Sequence, residues 1–290
     1  MRRTLLVLAA VLLPAALVAQ QPFEWSGRMR DGATLKLYSS NGPIEVMAAS
    51  GDRARVHGEI LESYRDREPV RFELVEDGDD IIVCALTERH VCEPDGIRQV
   101  DRQRRGRDGP ERALMRVELP AGVDLVASSG NGGIRVEEAR GDVRVSSGNG
   151  ELEILGTTGR VEAHTGNGEV EIRDTGGPVE VHSGNGEITV RTALGPVEAH
   201  TGNGDIDVVM DRLGSGDLEF TTGNGSVVVE VPDGLNADLR VQLGHGDLET
   251  DFPITIRGRT DFRDFRATIG DGGRRLIIRS GNGDAVLRRR

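Results

Sequence analysis

Six times between Gly130 and Gly225 the chain spells Gly-Asn-Gly, each triplet preceded by Ser or Thr, with asparagines at Asn131, Asn149, Asn167, Asn185, Asn203 and Asn224. The first four steps are 18 residues and the fifth is 21, and a variant centred on His245 follows after another 21. A fixed period of this kind marks a stacked repeat, in which each unit buries its apolar side on its neighbours. It constrains the fold tightly and says much less about the function.

Each period splits into two alternating runs. Glu151-Leu152-Glu153-Ile154 follows one triplet, a Gly-bearing break leads to Gly159, and Arg160-Val161-Glu162-Ala163-His164-Thr165 climbs to the next. Alternation of period two over 4 to 6 residues signals a half-buried strand, so a coil of about 18 residues holds two short strands and two turns. The inward set runs through Ile134, Val136, Val143, Val145, Leu152 and Ile154 and continues at the same phases to Val227 and Val229. Most members are β-branched, which suits a pleated surface. Gly on both sides of Asn allows positive φ at a sharp corner. Asn-Gly between alternating runs also suits an antiparallel hairpin. Near-identity at every 18th residue favours direct coil-on-coil stacking instead, with equivalent residues ~4.8 Å apart and the asparagines in a ladder. The expected fold is all-β, a single-chain β-solenoid preceded by an irregular N-terminal β segment.

Met1 to Ala19 carries Arg2, Arg3 and an apolar run from Leu5 to Leu13, and reads as a signal peptide. The run is shorter than the ~20 residues a membrane span needs, and no later segment looks transmembrane. Removal of that segment takes away two arginines and no acid, so the net charge of -12 becomes -14, with 34 basic residues against 48 acidic. This balance argues against nucleic acid as a partner. Cys84 and Cys92, close together in an exported chain, are expected to close a local loop as a disulfide.

Residues 20–115 then form an N-terminal β region, with a worn copy of the repeat at Ser40-Asn41-Gly42, an irregular insert around Phe72 and Ile81, and a basic loop from Arg98 to Arg107. Residues 116–290 form the regular solenoid and its cap, closing on Ser280-Gly281-Asn282-Gly283. Arg288, Arg289 and Arg290 would blunt the final strand as an exposed edge.

The signal peptide, the Val-Glu-Leu-Pro-Ala-Gly-Val lead-in at Val117 to Val123, the recurrent Ser/Thr-Gly-Asn-Gly and the closing copy at Asn282 together resemble the bacterial β-strand-repeat "putative adhesin" family, exported domains of unknown function. The resemblance covers about residues 30–290. It implies a β-solenoid of an exported protein and carries over no catalytic residue.

Chemistry is therefore sought on the outward faces. Glu162 with His164, Glu180 with His182 and Glu198 with His200 recur at 18-residue intervals. On stacked coils they form a histidine column beside a glutamate column, a donor set suited to Zn²⁺, Ni²⁺ or Cu²⁺. The plainer reading is a solvated polar face. A second, acidic column holds Glu151, Glu169, Glu187 and Asp205, with Glu153, Glu171 and Asp207 two residues on. Loose Ca²⁺ screening of that column stands against a solvated acidic face. Calcium ligation of the nonapeptide-repeat kind does not fit, because Val170 falls where the ligating Asp belongs.

No nucleophile elbow or zinc-protease motif occurs, and short regular turns leave no room for a cleft, so the lesser alternative of a polysaccharide-active β-helix enzyme would need its site in the irregular residues 61–113. The expectation is a non-catalytic protein with no cofactor, located in the periplasm, on the cell surface or in the medium. It acts as an adhesin-like scaffold for an unidentified protein or surface partner. The alternative is an envelope sensory or ligand-binding protein that uses residues 61–113, with the solenoid as spacer.

Overall fold

A computed structural model describes residues 22–62, 67–100, 109–192, 195–256 and 263–290. The segment Met1 to Ala19 and most of the basic stretch lie outside the described residues, while Arg98 and Gln99 belong to a strand, Gly96–Gln99.

The described strands form a 12-stranded sheet, a 13-stranded sheet and a separate two-stranded hairpin. Between Asp124 and Val231 every coil gives one strand to each large sheet. Val143–Asn149, Val161–Asn167, Val179–Asn185 and Val197–Asn203 are successive neighbours in the larger sheet. Leu152–Leu155, Val170–Thr175, Ile188–Thr192 and Ile206–Met210 are successive neighbours in the other. All of these pairs are parallel, and apart from a bulge between Arg173 and Thr175 they are in register, so Val161 stands beside Val179, His164 beside His182 and Asn167 beside Asn185. The chain is therefore a two-sheet solenoid, and the antiparallel hairpin reading of the Asn-Gly corners falls away.

The inward side chains fill the space between the sheets. Ile154, Val161, Ala163, Ile172, Val181 and Phe220 are fully buried, and burial of one Val or Ile stabilises by roughly 1.5–3 kcal/mol. One continuous core runs from Met29 to Leu287. Residue 115, where the sequence places a boundary, falls inside the strand Arg112–Leu119, and the core continues across it.

Two ladders tie each corner to the next coil. Asn149, Asn167, Asn185, Asn203, Asn224 and Asn282 each donate from Nδ2 to Oδ1 of the preceding asparagine, at 2.9, 2.9, 2.8, 2.7, 2.7 and 2.6 Å, starting from Asn131. Inside the corner, the Thr165 hydroxyl donates to the Gly150 carbonyl at 3.1 Å and that of Thr201 to Gly186 at 3.0 Å. Both glycines of a triplet are closed to a side chain by the neighbouring coil, since a Cβ on Gly204 would overlap the Gly186 carbonyl. In most coils the second takes positive φ as well, as at Gly204 with 150°. The first is forced by coil spacing: a Cβ on Gly166 would sit 2.6 Å from the Gly148 carbonyl oxygen. Positive φ was the expectation for both, and at the first it is close approach of the neighbouring coil that excludes a side chain.

Both ends depart from chain order. Thr34–Ser39 lies between Asp124–Asn131 and Asp80–Thr87, so the coil at Thr34 sits inside the stack, with the strand at Asp80 on one side of it and the coil at Asp124 on the other. At the far end Arg274–Asn282 inserts between Leu218–Asn224 and Ala237–His245. The coil at His245 was expected to follow Asn224 directly; it is displaced outward. Ser280 and Asn282 satisfy both ladders, donating to the Gly225 carbonyl and to Asn224. The His245 coil has Leu243 at the hydroxyl position and histidine at the amide position, and continues neither. The final strand, Ala285–Arg289, is consequently paired on both sides, by Val227–Val231 and Leu248–Thr250. Its arginines do not guard an edge, contrary to the expectation. Arg290 pairs with Asp211 and Arg289 with Asp233. Antiparallel strands close both sheets at one end, Phe23–Arg28 and Val70–Asp77, and at the other end the larger sheet closes on the antiparallel pair Asp264–Ile269 and Ile254–Ile256.

Candidate functional site

Alternation in the strand ending at Asn167 turns Val161, Ala163 and Thr165 inward and Glu162 and His164 outward. Coil register repeats this at Glu180 with His182 and at Glu198 with His200. The three imidazoles stack: ring centroids are 4.9 Å apart between His164 and His182 and 5.0 Å between His182 and His200, with planes 1° and 9° from parallel. Each Nε2 lies against the Oε1 of the glutamate two residues earlier on its own strand, at 3.0, 3.3 and 2.8 Å in chain order. Among the described residues no three His, Cys, Asp or Glu side chains converge on one point.

The ends of this ladder differ. Arg144 donates through Nε to Oε2 of Glu162 at 2.7 Å. Burial opposes the charged form of Glu162, but the Arg144 and His164 hydrogen bonds outweigh it, and the carboxyl titrates below its ordinary value. At the other end Arg279 pairs with Glu219 and donates to Gln242 at 3.0 Å.

On the outward face of the 12-stranded sheet the expected acidic column is interleaved with arginine. Arg135 stands beside Glu153 in register and pairs with it, and Arg173 pairs with Glu171 on the same strand. At Asp207, burial and then the nearby Glu230 push the carboxyl above its ordinary value. Near the corners, Asp205 accepts a hydrogen bond from the Ser226 amide at 2.7 Å and Glu187 one from Thr189 at 3.5 Å. Glu151 and Glu169 are exposed in the turns.

The irregular segment builds a second site. His90–Glu93 and Gly96–Gln99 form a hairpin over the outward face of the larger sheet. It covers Tyr38, Ile82, Cys84 and Leu86, which form a small cluster outside the main core. A disulfide joins Cys84 of the sheet to Cys92 of the hairpin, with Cα atoms 5.8 Å apart, and the Tyr38 hydroxyl donates to the Pro94 carbonyl at 3.3 Å. Burial raises the Tyr38 phenol above its usual range. His90 is shifted the other way: burial disfavours its charged form, Glu68 opposes that, and Arg89 and Arg71 reinforce it. Its Nδ1 lies 2.8 Å from the Thr87 hydroxyl.

Between the hairpin and the corner at Asn131 lies a cavity of about 520 Å³, lined in part by Tyr38, Ser39, His90, Asp95 and Gln99. Ser39 and Ser40 border it, and their buried hydroxyls have no hydrogen-bond partner among the described residues. In the regular coils the matching hydroxyl donates to a corner glycine. The coil before Ser39 has Ala85 beside it and no such corner. Neither this cavity nor the roles of Tyr38, Ser39 and Asp95 were read from the sequence. The available signal was Cys84, which alternation from Val83 places on the outward side of a strand, where burial requires a cover.

A family model described as Toastrack DUF4097 matches residues 33–288. No curated protein matches the chain. Among solved structures the chain is similar to a "putative cell adhesion protein" from Clostridium sporogenes ATCC 15579, with 10% identity over 93% of this chain and 100% of that one and a TM-score of 0.28. It is also similar to a "putative lipid binding protein" from Parabacteroides distasonis ATCC 8503, with 10% identity over 92% and 97% of the two chains and a TM-score of 0.27.

Proposed function

The chain belongs to the Toastrack DUF4097 family, and from that premise we propose that it is an exported, non-catalytic interaction scaffold of the cell envelope or surface. One observation carries the reading: register stacking repeats an outward Glu and His on three successive coils, Glu162 with His164, Glu180 with His182 and Glu198 with His200, so a partner meets an array of like contacts. Exposed ionic contacts are individually weak, about 0–1 kcal/mol each, and gain force only in number. Binding to isolated envelopes at low salt should therefore be lost in steps. Glu180→Lys alone is expected to weaken it by less than ~5-fold, and Glu162→Lys, Glu180→Lys and Glu198→Lys together by far more.

A second reading is favoured by the cavity beneath the hairpin. Its two unpartnered hydroxyls, with Asp95 and Gln99 at the rim, suit a small polar ligand. Asp95→Arg with Gln99→Arg would abolish binding under this reading and leave it intact under the first. Abrupt loss with that pair, and none with the charge reversals, overturns the scaffold reading.

A further inference from the structure

We propose that Arg240 and Arg266 form a binding site for a phosphate group on the outward face of the larger sheet, at the end of that sheet remote from the hairpin. The site rests on neither reading above.

Three strands build it. Alternation turns Leu239 and Val241 of Ala237–His245 inward and Asp238, Arg240 and Gln242 outward. In Asp264–Ile269 it turns Phe265 and Ala267 inward and Arg266 and Thr268 outward. The two strands are antiparallel, and their register sets Arg240 directly opposite Arg266. On its other side Arg240 stands beside Ile277 of Arg274–Asn282. Side chains directly opposite have Cβ atoms about 5 Å apart, and like charges so placed repel. The fold nevertheless brings two guanidinium groups together.

Elsewhere on the outward faces arginine meets a carboxylate. Arg144 pairs with Glu162, Arg135 with Glu153, Arg173 with Glu171 and Arg279 with Glu219. Among the described residues Arg240 and Arg266 have no such partner. The nearby acids are engaged otherwise: Asp238 accepts from the Gly273 amide at 3.3 Å, Asp264 from the Gln242 amide at 3.3 Å, and Asp217 is held by Arg275. Arg240 is also half-buried, and its Nε is shut off from water with no hydrogen-bond partner among the described residues. A cationic donor left in that state is costly, and an ion bound to the same group offsets the cost. The ion need not reach Nε, because charge on a guanidinium is delocalised over its terminal nitrogens.

Beside the pair lies an open cavity of about 490 Å³, lined in part by Arg240, Arg266, Thr268, Arg275, Ile277 and Asp238. Two planar forks on one cavity suit a tetrahedral oxyanion, which accepts from both. A phosphate monoester carries ~1.5 to 2 negative charges at neutral pH and so matches two cations, where a carboxylate would leave one unmatched. The Thr268 hydroxyl adds a neutral donor. Ile277 gives the cavity an apolar wall against which an organic group on the phosphate can rest. The net charge of -12 opposes diffuse attraction of phosphate, so affinity for it has to be local.

Titration calorimetry of the purified chain with inorganic phosphate, at low ionic strength, tests the site. One phosphate per chain is expected, weakened ~10-fold or more in Arg240→Gln and in Arg266→Gln. Arg240→Lys keeps the stem and the charge but loses the fork, and should weaken binding ~3-fold or more. Arg144→Gln, on the same face, should bind as wild type does. An unchanged or higher melting temperature without phosphate shows that the variants fold, since either Gln substitution relieves repulsion. Added phosphate should raise the melting temperature of wild type and leave those of the two Gln variants in place. Flotation with phosphatidylcholine vesicles that contain phosphatidic acid separates the sources. Capture that both Gln variants lose identifies a lipid phosphate, and phosphate binding without capture identifies a soluble phosphorylated compound. Absence of phosphate binding, or binding that Arg240→Gln and Arg266→Gln leave unchanged, overturns the site. Equal weakening in Arg144→Gln overturns its location.

Discussion

The coils from Asp124 to Val231 and the N-terminal region from Phe23 to Leu119 share one core and two sheets, yet satisfy their polar groups in opposite ways. In the coils each corner group is met by its own counterpart one period away, amide to amide along the asparagine ladder and hydroxyl to glycine carbonyl beside it. In the N-terminal region partners are unique and distant. Asn41 donates to the Pro110 carbonyl at 2.9 Å, the Val70 amide donates to the buried Glu111 at 3.1 Å, and Arg89 pairs with Glu68. The first arrangement extends indefinitely but is the same everywhere. The second is built once, and it is where the cover, the disulfide and the cavity occur. Regularity supplies the rod, and the break in regularity supplies shape.

The largest expected effect tests whether coil spacing governs the first region. Gly204 has φ of 150°, and a Cβ there would overlap the Gly186 carbonyl. Gly204→Ala should cost several kcal/mol, about 4, by strain and displaced stacking. Gly78 has φ of 66° and open space around it, so Gly78→Ala in the N-terminal region should cost about 1 kcal/mol. Urea unfolding of the two variants reads the difference, and equal costs would break the contrast.

Next comes the unique link. Cys84 and Cys92 are 8 apart in sequence, and opening so short a loop should cost about 2.5 kcal/mol. Replacing both by Ala is expected to speed amide exchange across the hairpin, from His90 to Gln99, while protection of the coils stays as in wild type. Uniform loss of protection would mean that the two regions are one cooperative unit.

What the sequence made legible follows the same division. Inward residues such as Val161 and Val179, and the asparagine ladder, are encoded by the 18-residue period, because each position touches its own copy. The outward placement of His164, His182 and His200 is legible for the same reason. The insertion of the Asn282 coil inside the His245 coil is a competition between two segments for one rung. It turns on Ser280 against Leu243, a choice that appears only when both ladders are present together. The hairpin over Cys84 depends on long-range packing that no period encodes, and the orphaned hydroxyl of Ser39 depends on which strand lies beside it. The paired Cys84 and Cys92 mark that place without revealing its shape.

A smaller effect measures how far the asparagine ladder is shared. Asn185 donates to Asn167 and accepts from Asn203, whereas among the described residues the side chain of Asn131 accepts from Asn149 and donates to none. Asn185→Ala should cost about 1 kcal/mol and Asn131→Ala about half of that, since each exposed hydrogen bond contributes near the low end of the usual range. Equal costs would show that the ladder contributes through turn conformation rather than through its bonds.

The smallest effect is the pH dependence that His90 and Glu68 add in the irregular region. Burial disfavours protonated His90, and Glu68 opposes this while Arg89 and Arg71 add to it. Folding therefore favours the neutral ring. As pH falls below the ordinary histidine value of 6.5, the unfolded chain takes up the proton first, and stability declines until the folded ring also protonates. Glu68 adds a second window. Its hydrogen bond with Arg89 holds the carboxyl below its ordinary 4.5 despite burial, so its contribution is full above that value and is lost as pH falls through the folded one. His90→Asn should flatten the melting temperature of the hairpin region below pH 6.5 and leave the loss below pH 4.5 in place. Glu68→Gln should do the reverse. A profile that neither variant alters would place the acid response in the coils, where ionic groups recur, and would remove one of the grounds for treating the irregular segment as electrostatically distinct.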